Sequence, residues 1–272
     1  MNSIPGSTWN DNHSAPLRGK HAVVTGASRG IGAAIASTLA RLGADLTLMS
    51  RDEARLLDQA AALTQRFNGK THVIATDIAQ PTQITAAFAR ATDNFGPPQI
   101  LVNNAGIAAA APLAKTDLST WQRLMEVNLT GAFLCTREVV PAMMKSDYGR
   151  IINVASTAGL TGYAYVAAYC AAKHGLIGLT RALARELART NVTVNAVCPG
   201  YTDTDIVAEA VGNIVTKTGR TKEQALRDLT VHNPQGRLVR PEEVAEAVGW
   251  LCAPSSASIT GQSIVVAGGE LM

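Results

Sequence analysis

The sequence predicts a single-domain α/β fold in which a doubly wound parallel sheet of about seven strands carries helices on both faces. Two observations lead to this prediction. From Lys20 onward, short β-branched runs alternate with Ala-rich amphipathic stretches, which is the spacing of repeated βαβ units. The composition is also uniform and contains no linker, so we expect one domain over residues 18–272. The strand candidates are residues 21–25, 45–49, 72–76, 99–103, 150–155, 192–197 and 263–267.

Two segments do not fit this alternation. Residues 1–17 are rich in Ser, Asn, Pro and Gly and lack the apolar core of a secretory signal, which predicts a mobile tail. A stretch of about forty residues after the sixth strand contains no strand candidate, but two short amphipathic helices fit near 204–216 and 221–231. Because so long an excursion is typical of a lid, we expect one over residues 204–236.

Charge, hydropathy and cysteine spacing exclude several classes of protein. The formal net charge is +3 without a long Lys/Arg run, so a nucleic-acid partner is not expected. Hydrophobic residues make up 47% of the chain, yet no apolar run approaches the ~20 residues of a membrane span, so no membrane partner is expected. The cysteines form no CxxC pair, which predicts buried free thiols, no metal site and a cytoplasmic location. They are Cys135, Cys170, Cys198 and Cys252.

A glycine-rich segment, TGASRGIG, joins the first predicted strand to the first predicted helix. Gly26, Gly30 and Gly32 have the spacing G-x-x-x-G-x-G, which differs from the common G-x-G-x-x-G. In both patterns a tight turn leaves the strand and a helix N-terminus faces a pyrophosphate. In the first βα unit this predicts a Rossmann-type dinucleotide site. The other cofactor-binding residues expected in the loop are Ser28, Arg29 and Ile31.

The end of the second predicted strand bears on the choice between NADP(H) and NAD(H). Ser50 stands where a carboxylate would bind the ribose hydroxyls and repel a 2′-phosphate, and Arg51 follows it. Arg29 can approach from the glycine loop. Two guanidiniums around a small hydroxyl suit a phosphate dianion, so NADP(H) is favoured and NAD(H) stays open. Asp52 is an acidic competitor, but it is expected to cap the next helix.

Two further strand ends are expected beside the adenosine of the cofactor. Asp77 closes the third predicted strand, where it would meet the adenine together with Ile78. The segment NNAG closes the fourth, and we expect Asn104, Ala105 and Gly106 to shape the turn there. Ordinary turn chemistry accounts for the same residue types and does not exclude this role.

A mostly apolar helical pattern near 167–190 carries a phenol and an ammonium in the segment YCAAK. Residues four apart share one face of a helix, so Tyr169 and Lys173 point the same way. Taken alone, the pair fits a structural tyrosine with a lysine that snorkels to water.

Six motifs give the chain a family resemblance. TGASRGIG, NNAG, VNLTG, INVAS, YCAAK and NAVCPG occur in the order and spacing of the short-chain dehydrogenase/reductase family, which the sequence resembles over about residues 17–270. By general likeness, the chain looks most like the 3-oxoacyl reductases and ketoreductases. The resemblance implies an NAD(P)(H)-dependent enzyme that interconverts a ketone and a secondary alcohol, with 3-oxoacyl thioesters on carrier protein or CoA as substrates.

The resemblance implies roles for four residues. Tyr169 would be the general acid/base. Lys173, together with the positive nicotinamide of the oxidised cofactor, would lower the pKa of Tyr169 from the usual ~10, and Lys173 would also hold the nicotinamide ribose. Ser156 would hydrogen-bond the substrate oxygen, with a helix-capping serine as the alternative. Asn128 would hold a water that passes protons to Lys173, with a structural amide bonded to backbone as the alternative. Around the nicotinamide the resemblance places Pro199, Gly200, Thr202 and Thr204, the last also a candidate N-cap.

Two other functions stay open. Tyr163 and Tyr165 could line the pocket of an NAD-dependent dehydrogenase of small cyclic or aromatic alcohols. A non-catalytic nucleotide-binding regulator on the same fold is a different class, against which the complete set of four catalytic candidates argues. The small-molecule carbonyl/alcohol pair is therefore the expected substrate.

Self-association is also expected. The predicted long helices near 119–146 and 167–190 are apolar on more than one face, which indicates that they pack against a partner. The family resemblance implies a homotetramer, with the C-terminal segment VVAGGELM near another interface.

Overall fold

Seven parallel strands form the predicted sheet in the computed structural model, which describes residues 15–271. The strands are β1 (His21–Thr25), β2 (Asp45–Ser50), β3 (Thr71–Ala75), β4 (Ile100–Asn103), β5 (Gly149–Val154), β6 (Val192–Pro199) and β7 (Ser263–Val266). They lie in the order β3–β2–β1–β4–β5–β6–β7. All seven predicted strands are confirmed, with ends that differ by one or two residues.

Helices cover both faces of the sheet, as predicted. Val23 of β1 packs into the core that contains Val139, whereas its neighbour Val24 packs into the core that contains Ile35 and Val248. Successive strand side chains point to opposite faces, so a strand covered on both sides is apolar throughout. The helices are α1 (Gly30–Arg41), α2 (Glu53–Phe67), α3 (Pro81–Phe95), α4 (Leu118–Met125), α5 (Gly131–Met143), α6 (Ala167–Glu186), α7 (Asp205–Thr218), α8 (Lys222–Thr230) and α9 (Pro241–Cys252).

The strand order reverses at β1, because β2 pairs with one edge of β1 and β4 pairs with the other. In open α/β sheets, ligands bind outside the carboxyl ends of the strands at such a switch point. The candidate functional residues follow the carboxyl ends of β1, β2, β4, β5 and β6. The topology therefore gathers them at one edge of the sheet.

The N-terminal boundary differs from the predicted one. Residues 1–14 of the predicted tail lie outside the described residues. Leu17, however, is fully buried, and its backbone N–H donates to the carbonyl oxygen of Leu42 at 2.9 Å. A side chain packed in the core does not belong to a mobile tail, so the boundary predicted at residue 17 is wrong.

The long helix predicted near 119–146 contains one π-helical turn, Glu126–Thr130, between α4 and α5. Asp117 starts α4 by accepting a hydrogen bond from the N–H of Thr120 at 2.7 Å. A π turn inserts an extra residue into the helical repeat and is frequent at functional sites. Asn128 lies at the centre of this turn.

The two helices predicted after the sixth strand are confirmed as α7 and α8. They share a small core made by Val207, Val211 and Ala225. Thr221 and Gln224 form a reciprocal capping box at the start of α8. This helical pair therefore packs on itself as well as on the domain.

The predicted burial of the cysteines is confirmed, because all four are buried free thiols. Within residues 15–271, no helix is long and apolar enough to cross a membrane. The same part of the chain holds no group of three or more His, Cys, Asp or Glu side chains placed to bind a metal ion.

Candidate active site

Three of the four predicted catalytic side chains meet at the carboxyl end of β5. Ser156 follows that strand, and Tyr169 and Lys173 lie four residues apart on α6. The Ser156 hydroxyl interacts with the Tyr169 phenol and favours its ionised form. The Lys173 Nζ atom is 5.7 Å from the centre of the Tyr169 ring. A hydroxyl, a phenol and an ammonium therefore share one small region.

Ser156 caps a short turn in this geometry. It precedes the 3₁₀ turn Thr157–Gly159, and its Oγ accepts a hydrogen bond from the N–H of Ala158 at 3.1 Å. The capping role considered for this serine is therefore present. Since a hydroxyl keeps its own proton while it accepts, Ser156 can still donate to a substrate oxygen.

The acidity of Tyr169 differs from the expected one. Burial raises the pKa of Tyr169 to about 12, and the Ser156 hydroxyl offsets only part of this effect. The expected lowering depends on Lys173 together with the positive nicotinamide of the oxidised cofactor, and in the chain by itself Lys173 does not bring the pKa of Tyr169 below the usual ~10. Loss of hydration of the phenolate outweighs a cation centred 5.7 Å from the ring.

Lys173 is buried rather than exposed. Its exposed fraction is 4%, and its Nζ donates to the carbonyl oxygen of Val154 at 2.9 Å. Burial lowers the pKa of Lys173 to about 8. The interpretation as a snorkelling lysine is wrong, because this ammonium points into the protein and not to water.

Asn128 makes the backbone bonds considered as the alternative to a catalytic role. Its Nδ2 donates to the carbonyl oxygens of Ile107 and Leu124, each at 3.0 Å, and its Oδ1 accepts from the Ile107 N–H at 3.1 Å. Both amide hydrogens are thus occupied, while Oδ1 keeps one lone pair. A Cβ atom at Gly106 would lie 2.8 Å from Asn128 Oδ1 and 3.6 Å from Lys173 Nζ, so both atoms border the space beside this glycine.

The glycine loop provides a cradle that fits a dinucleotide pyrophosphate. Gly26 and Gly30 have φ angles of +66° and +55°, which other residues rarely adopt. A methyl group at Gly32 would overlap the Gly26 carbonyl oxygen. The N-terminus of α1 has no side-chain cap, so its amides face the same loop. Two other loop residues were predicted to contact the cofactor. Ile31 is partly buried and packs against the core, and Ser28 directly precedes Arg29, the N-cap residue of α1.

The end of β4 holds this loop in place. Asn104 Nδ2 donates to the carbonyl oxygens of Thr25 and Gly26 at 2.9 and 3.2 Å. The Thr25 hydroxyl in turn accepts from the N–H groups of Asn104 and Ala105 at 3.0 and 3.1 Å. The predicted turn chemistry is present, and it positions the glycine turn that a cofactor would contact.

The predicted phosphate-binding arginines have different surroundings. Arg29 forms an ion pair of 2.6 Å with Asp205, the first residue of α7, rather than standing free for a phosphate. Among the described residues, Arg51 forms no salt bridge, and it is exposed. Arg55 was missed by sequence reasoning, although it lies 3.8 Å from Asp205 in the first turn of α2. The sequence signal that would have indicated Arg55 is a basic residue in the first turn of the helix after β2.

The smaller predictions near the adenosine site have mixed outcomes. Asp52 caps α2 by accepting from the Arg55 N–H at 3.1 Å, and the Ser50 hydroxyl accepts from the Asp52 N–H at 3.2 Å. Asp77 accepts from the Ala79 N–H at 3.0 Å, so its carboxylate already shapes the turn after β3. Ile78 is buried in the core.

The segment after β6 contacts the glycine loop. A Cβ atom on Gly30 would lie 3.1 Å from the Thr204 methyl group. Thr204 occupies the N-cap position of α7, but its hydroxyl donates to the Thr202 carbonyl oxygen at 3.2 Å and makes no capping bond. Pro199 ends β6, and the N–H of Gly200 donates to the carbonyl oxygen of Val266 in β7 at 3.1 Å. The structure thus brings the two predicted cofactor-binding segments together.

Two side chains near the predicted catalytic residues, Tyr201 and Glu270, were missed by sequence reasoning. Tyr163 donates a hydrogen bond to Glu270, and its ring packs edge to face on Tyr201 with 6.4 Å between centres. Tyr165, the other aromatic candidate, is 67% exposed. Glu270 lies 107 residues from Tyr163, so no local pattern could pair them.

Comparison with known proteins places this geometry among enzymes. The profile of the family described as short chain dehydrogenase matches residues 20–214. The 3-oxoacyl-[acyl-carrier-protein] reductase of Vibrio cholerae is 42% identical, over 94% of this chain and 99% of that protein. The D-beta-hydroxybutyrate dehydrogenase of Rhizobium meliloti is 37% identical, over 92% of this chain and 98% of that protein.

A solved structure shows the same fold. A variant of actinorhodin polyketide ketoreductase, crystallised with NADPH, matches with a TM-score of 0.89 and 37% sequence identity. The match covers 94% of this chain and 98% of that chain.

Proposed function

Because the chain belongs to the short-chain dehydrogenase family, we propose that it is an NADP(H)-dependent oxidoreductase that interconverts a ketone and a secondary alcohol. The observation that carries the proposal is the meeting of Ser156, Tyr169 and buried Lys173 beside the glycine cradle. The test is to mix the protein with NADPH and a panel of ketones and to follow the absorbance of the reduced nicotinamide. If cofactor binds but no ketone is reduced, a nucleotide-binding regulator becomes the better interpretation.

The proposed reaction divides the work among this chain's side chains. NADPH, when bound, supplies a hydride to the carbonyl carbon. The Ser156 hydroxyl donates to the carbonyl oxygen, and Tyr169 gives that oxygen its proton. With a pKa of about 12, Tyr169 is protonated at neutral pH, which is the state that a reductase needs. Lys173 stabilises the phenolate left behind, and the Asn128 Oδ1 lone pair beside Gly106 suits a water that returns a proton.

The proposal for NADP(H) rests on positive charge near the end of β2. Arg51 is exposed there, and Arg29 lies in the glycine loop. Arg29 is paired with the Asp205 carboxylate. To bind a 2′-phosphate, Arg29 must therefore leave this carboxylate and pair with the phosphate instead. The NADPH held by the related ketoreductase supports this choice over NAD(H).

Replacing Arg51 by Ala should weaken NADPH binding by about tenfold or more while NADH binding changes little, since only NADPH carries the 2′-phosphate. Dissociation constants from nicotinamide fluorescence measure both effects. Arg66→Ala is the matched control, because Arg66 is an exposed arginine in the last turn of α2, the helix that follows Arg51, at the end far from it. Equal losses for the two cofactors would contradict the phosphate role.

The pH profile should report the Lys173 ammonium. Its pKa of about 8 means that the positive charge is present below that pH and is lost above it. Initial rates of ketone reduction should therefore be level near about pH 7 and fall by up to about tenfold per unit above pH 8, because the neutral amine no longer stabilises the phenolate. In a Lys173→Arg variant the guanidinium stays charged, and the fall should disappear even if the rate is lower. A fall that persists unchanged would assign it to another group.

The proposed substrate is a 3-oxoacyl thioester on carrier protein or CoA. The carrier-protein reductase of Vibrio cholerae supports it by its name and 42% identity. Lys217, Lys222 and Arg227 on α7 and α8 add positive charge that suits an anionic carrier or phosphate, whereas Arg220 is paired with Asp228. Small cyclic or aromatic alcohols have less support, because Tyr165 points to solvent.

We also propose a cytoplasmic homotetramer. Four large apolar side chains are partly exposed. Trp121 lies on α4, Phe133 on α5, Met144 directly after α5, and Trp250 on α9. Their burial against other copies would remove this surface from water. Light scattering coupled to size-exclusion chromatography measures the state directly.

A further inference from the structure

The Glu270 carboxylate and the Tyr163 phenol form a hydrogen-bonded pair beside the proposed catalytic residues. The Tyr163 hydroxyl donates to Oε1 of Glu270, and both side chains are half-buried. Burial raises the pKa of Tyr163, and so does the hydrogen bond to Glu270. The phenol therefore stays a neutral donor at neutral pH and holds the carboxylate in one orientation.

The backbone that carries Glu270 is tightly constrained. Gly268 and Gly269 have φ angles of +61° and +93°, so the chain turns back sharply after β7. The Glu270 N–H closes this turn by donating to the Ala267 carbonyl oxygen at 3.1 Å. A Cβ atom at Gly268 would overlap the Asn233 amide, which lies in the segment after α8. The turn that carries Glu270 therefore packs against the segment after α8.

The Glu270 carboxylate borders the reaction centre. Its Oε2 lies 2.7 Å from the position of a Cβ atom on Gly200, the residue proposed to contact the nicotinamide. On the other side, the Tyr163 hydroxyl interacts with the side chain of Thr157, which directly follows Ser156. A larger residue at position 200 would require this carboxylate to shift.

We propose that Glu270, oriented by Tyr163, is a specificity residue that admits neutral 3-oxo substrates and rejects those with a free carboxylate one carbon away from the ketone. The inference rests on the proposed ketone reduction. A negative charge brought beside a half-buried carboxylate is repelled, whereas a neutral amide or thioester is not. Tyr163 occupies Oε1, so Oε2 keeps lone pairs that can accept from a substrate donor. The chain would then differ from its hydroxybutyrate dehydrogenase relative, whose name describes a free hydroxy acid as substrate.

Acetoacetamide and acetoacetate test this inference, because they differ only in an amide or a carboxylate at the same position. At saturating NADPH, we expect the kcat/KM for acetoacetamide to exceed that for acetoacetate by about a hundredfold. Glu270→Gln should reduce this preference by about tenfold or more, by raising kcat/KM for acetoacetate. Glu186→Gln removes an equal charge from the exposed last residue of α6, at the end of that helix away from Tyr169, and should leave the preference unchanged.

The remaining results of these experiments also test the proposed role of Glu270. An unchanged preference in Glu270→Gln, with its unfolding temperature preserved, overturns it. Tyr163→Phe keeps the charge but removes the hydrogen bond that orients it, so it should lower the preference by less than Glu270→Gln does. A larger loss than that of Glu270→Gln would show that the Glu270 charge is not the determinant. If no ketone at all is reduced, the proposed function fails, and binding of the two compounds to the protein–NADPH complex, followed by NADPH fluorescence, decides the inference separately.

Discussion

Replacing Tyr169 by Phe is expected to lower kcat for ketone reduction by about 10²–10⁴-fold while NADPH affinity stays within about threefold. The change removes one oxygen atom and with it the proton that the carbonyl oxygen needs. The phenyl ring still fills the same half-buried space between Ser156 and Lys173, so the fold and the cofactor cradle are preserved. Steady-state kinetics and fluorescence titration with NADPH measure the two quantities.

Tyr165→Phe is the matched control for this experiment. It removes the same atom from a tyrosine four residues earlier, in the loop before α6, where the side chain is 67% exposed. We expect that variant to retain its activity. A Tyr169→Phe enzyme that keeps more than about a tenth of its kcat would disprove the proposed proton donor.

Replacing Gly32 by Ala should weaken NADPH binding by at least about a hundredfold. The added methyl group would overlap the Gly26 carbonyl oxygen and approach Asn104 Nδ2 to 2.5 Å. Both atoms belong to the turn that Asn104 fixes, since its Nδ2 bonds the Gly26 carbonyl oxygen at 3.2 Å. To relieve the overlap, the turn must open, and the amides at the start of α1 then no longer converge on a pyrophosphate.

Gly212→Ala provides the control for a glycine within a helix. A Cβ atom at Gly212 would meet nothing within 4 Å, so this variant should bind NADPH normally. Unfolding temperatures of both variants show whether the Gly32→Ala protein remains folded. Unchanged NADPH affinity in a folded Gly32→Ala protein would contradict the proposed position of the pyrophosphate.

Local patterns were sufficient to predict the architecture. Strand and helix positions follow from hydrophobic periodicity, which acts over a few residues, and all seven strands were placed within two residues of their observed ends. The Tyr169–Lys173 pair follows from helix geometry in the same way. The assignment of catalytic and cofactor roles to these residues stays a prediction.

Long-range contacts explain what sequence reasoning missed. Leu17 is buried and is anchored by a backbone hydrogen bond to Leu42, which follows α1 and lies 25 residues further along the chain. The polar composition around Leu17 therefore did not indicate its burial. Arg29 pairs with Asp205, which is 176 residues distant. Spacing along the chain contains no information about such partners.

The sequence by itself determined the order of the strands along the chain, the glycine loop and the alignment of a phenol with an ammonium, because each depends on neighbours within a few residues. Only the tertiary structure decided the chemistry of those groups. It buried Lys173, raised the pKa of Tyr169 to about 12, and brought Glu270 beside Tyr163. The physical reason is that hydration and pairing of a charge depend on every segment folded around it.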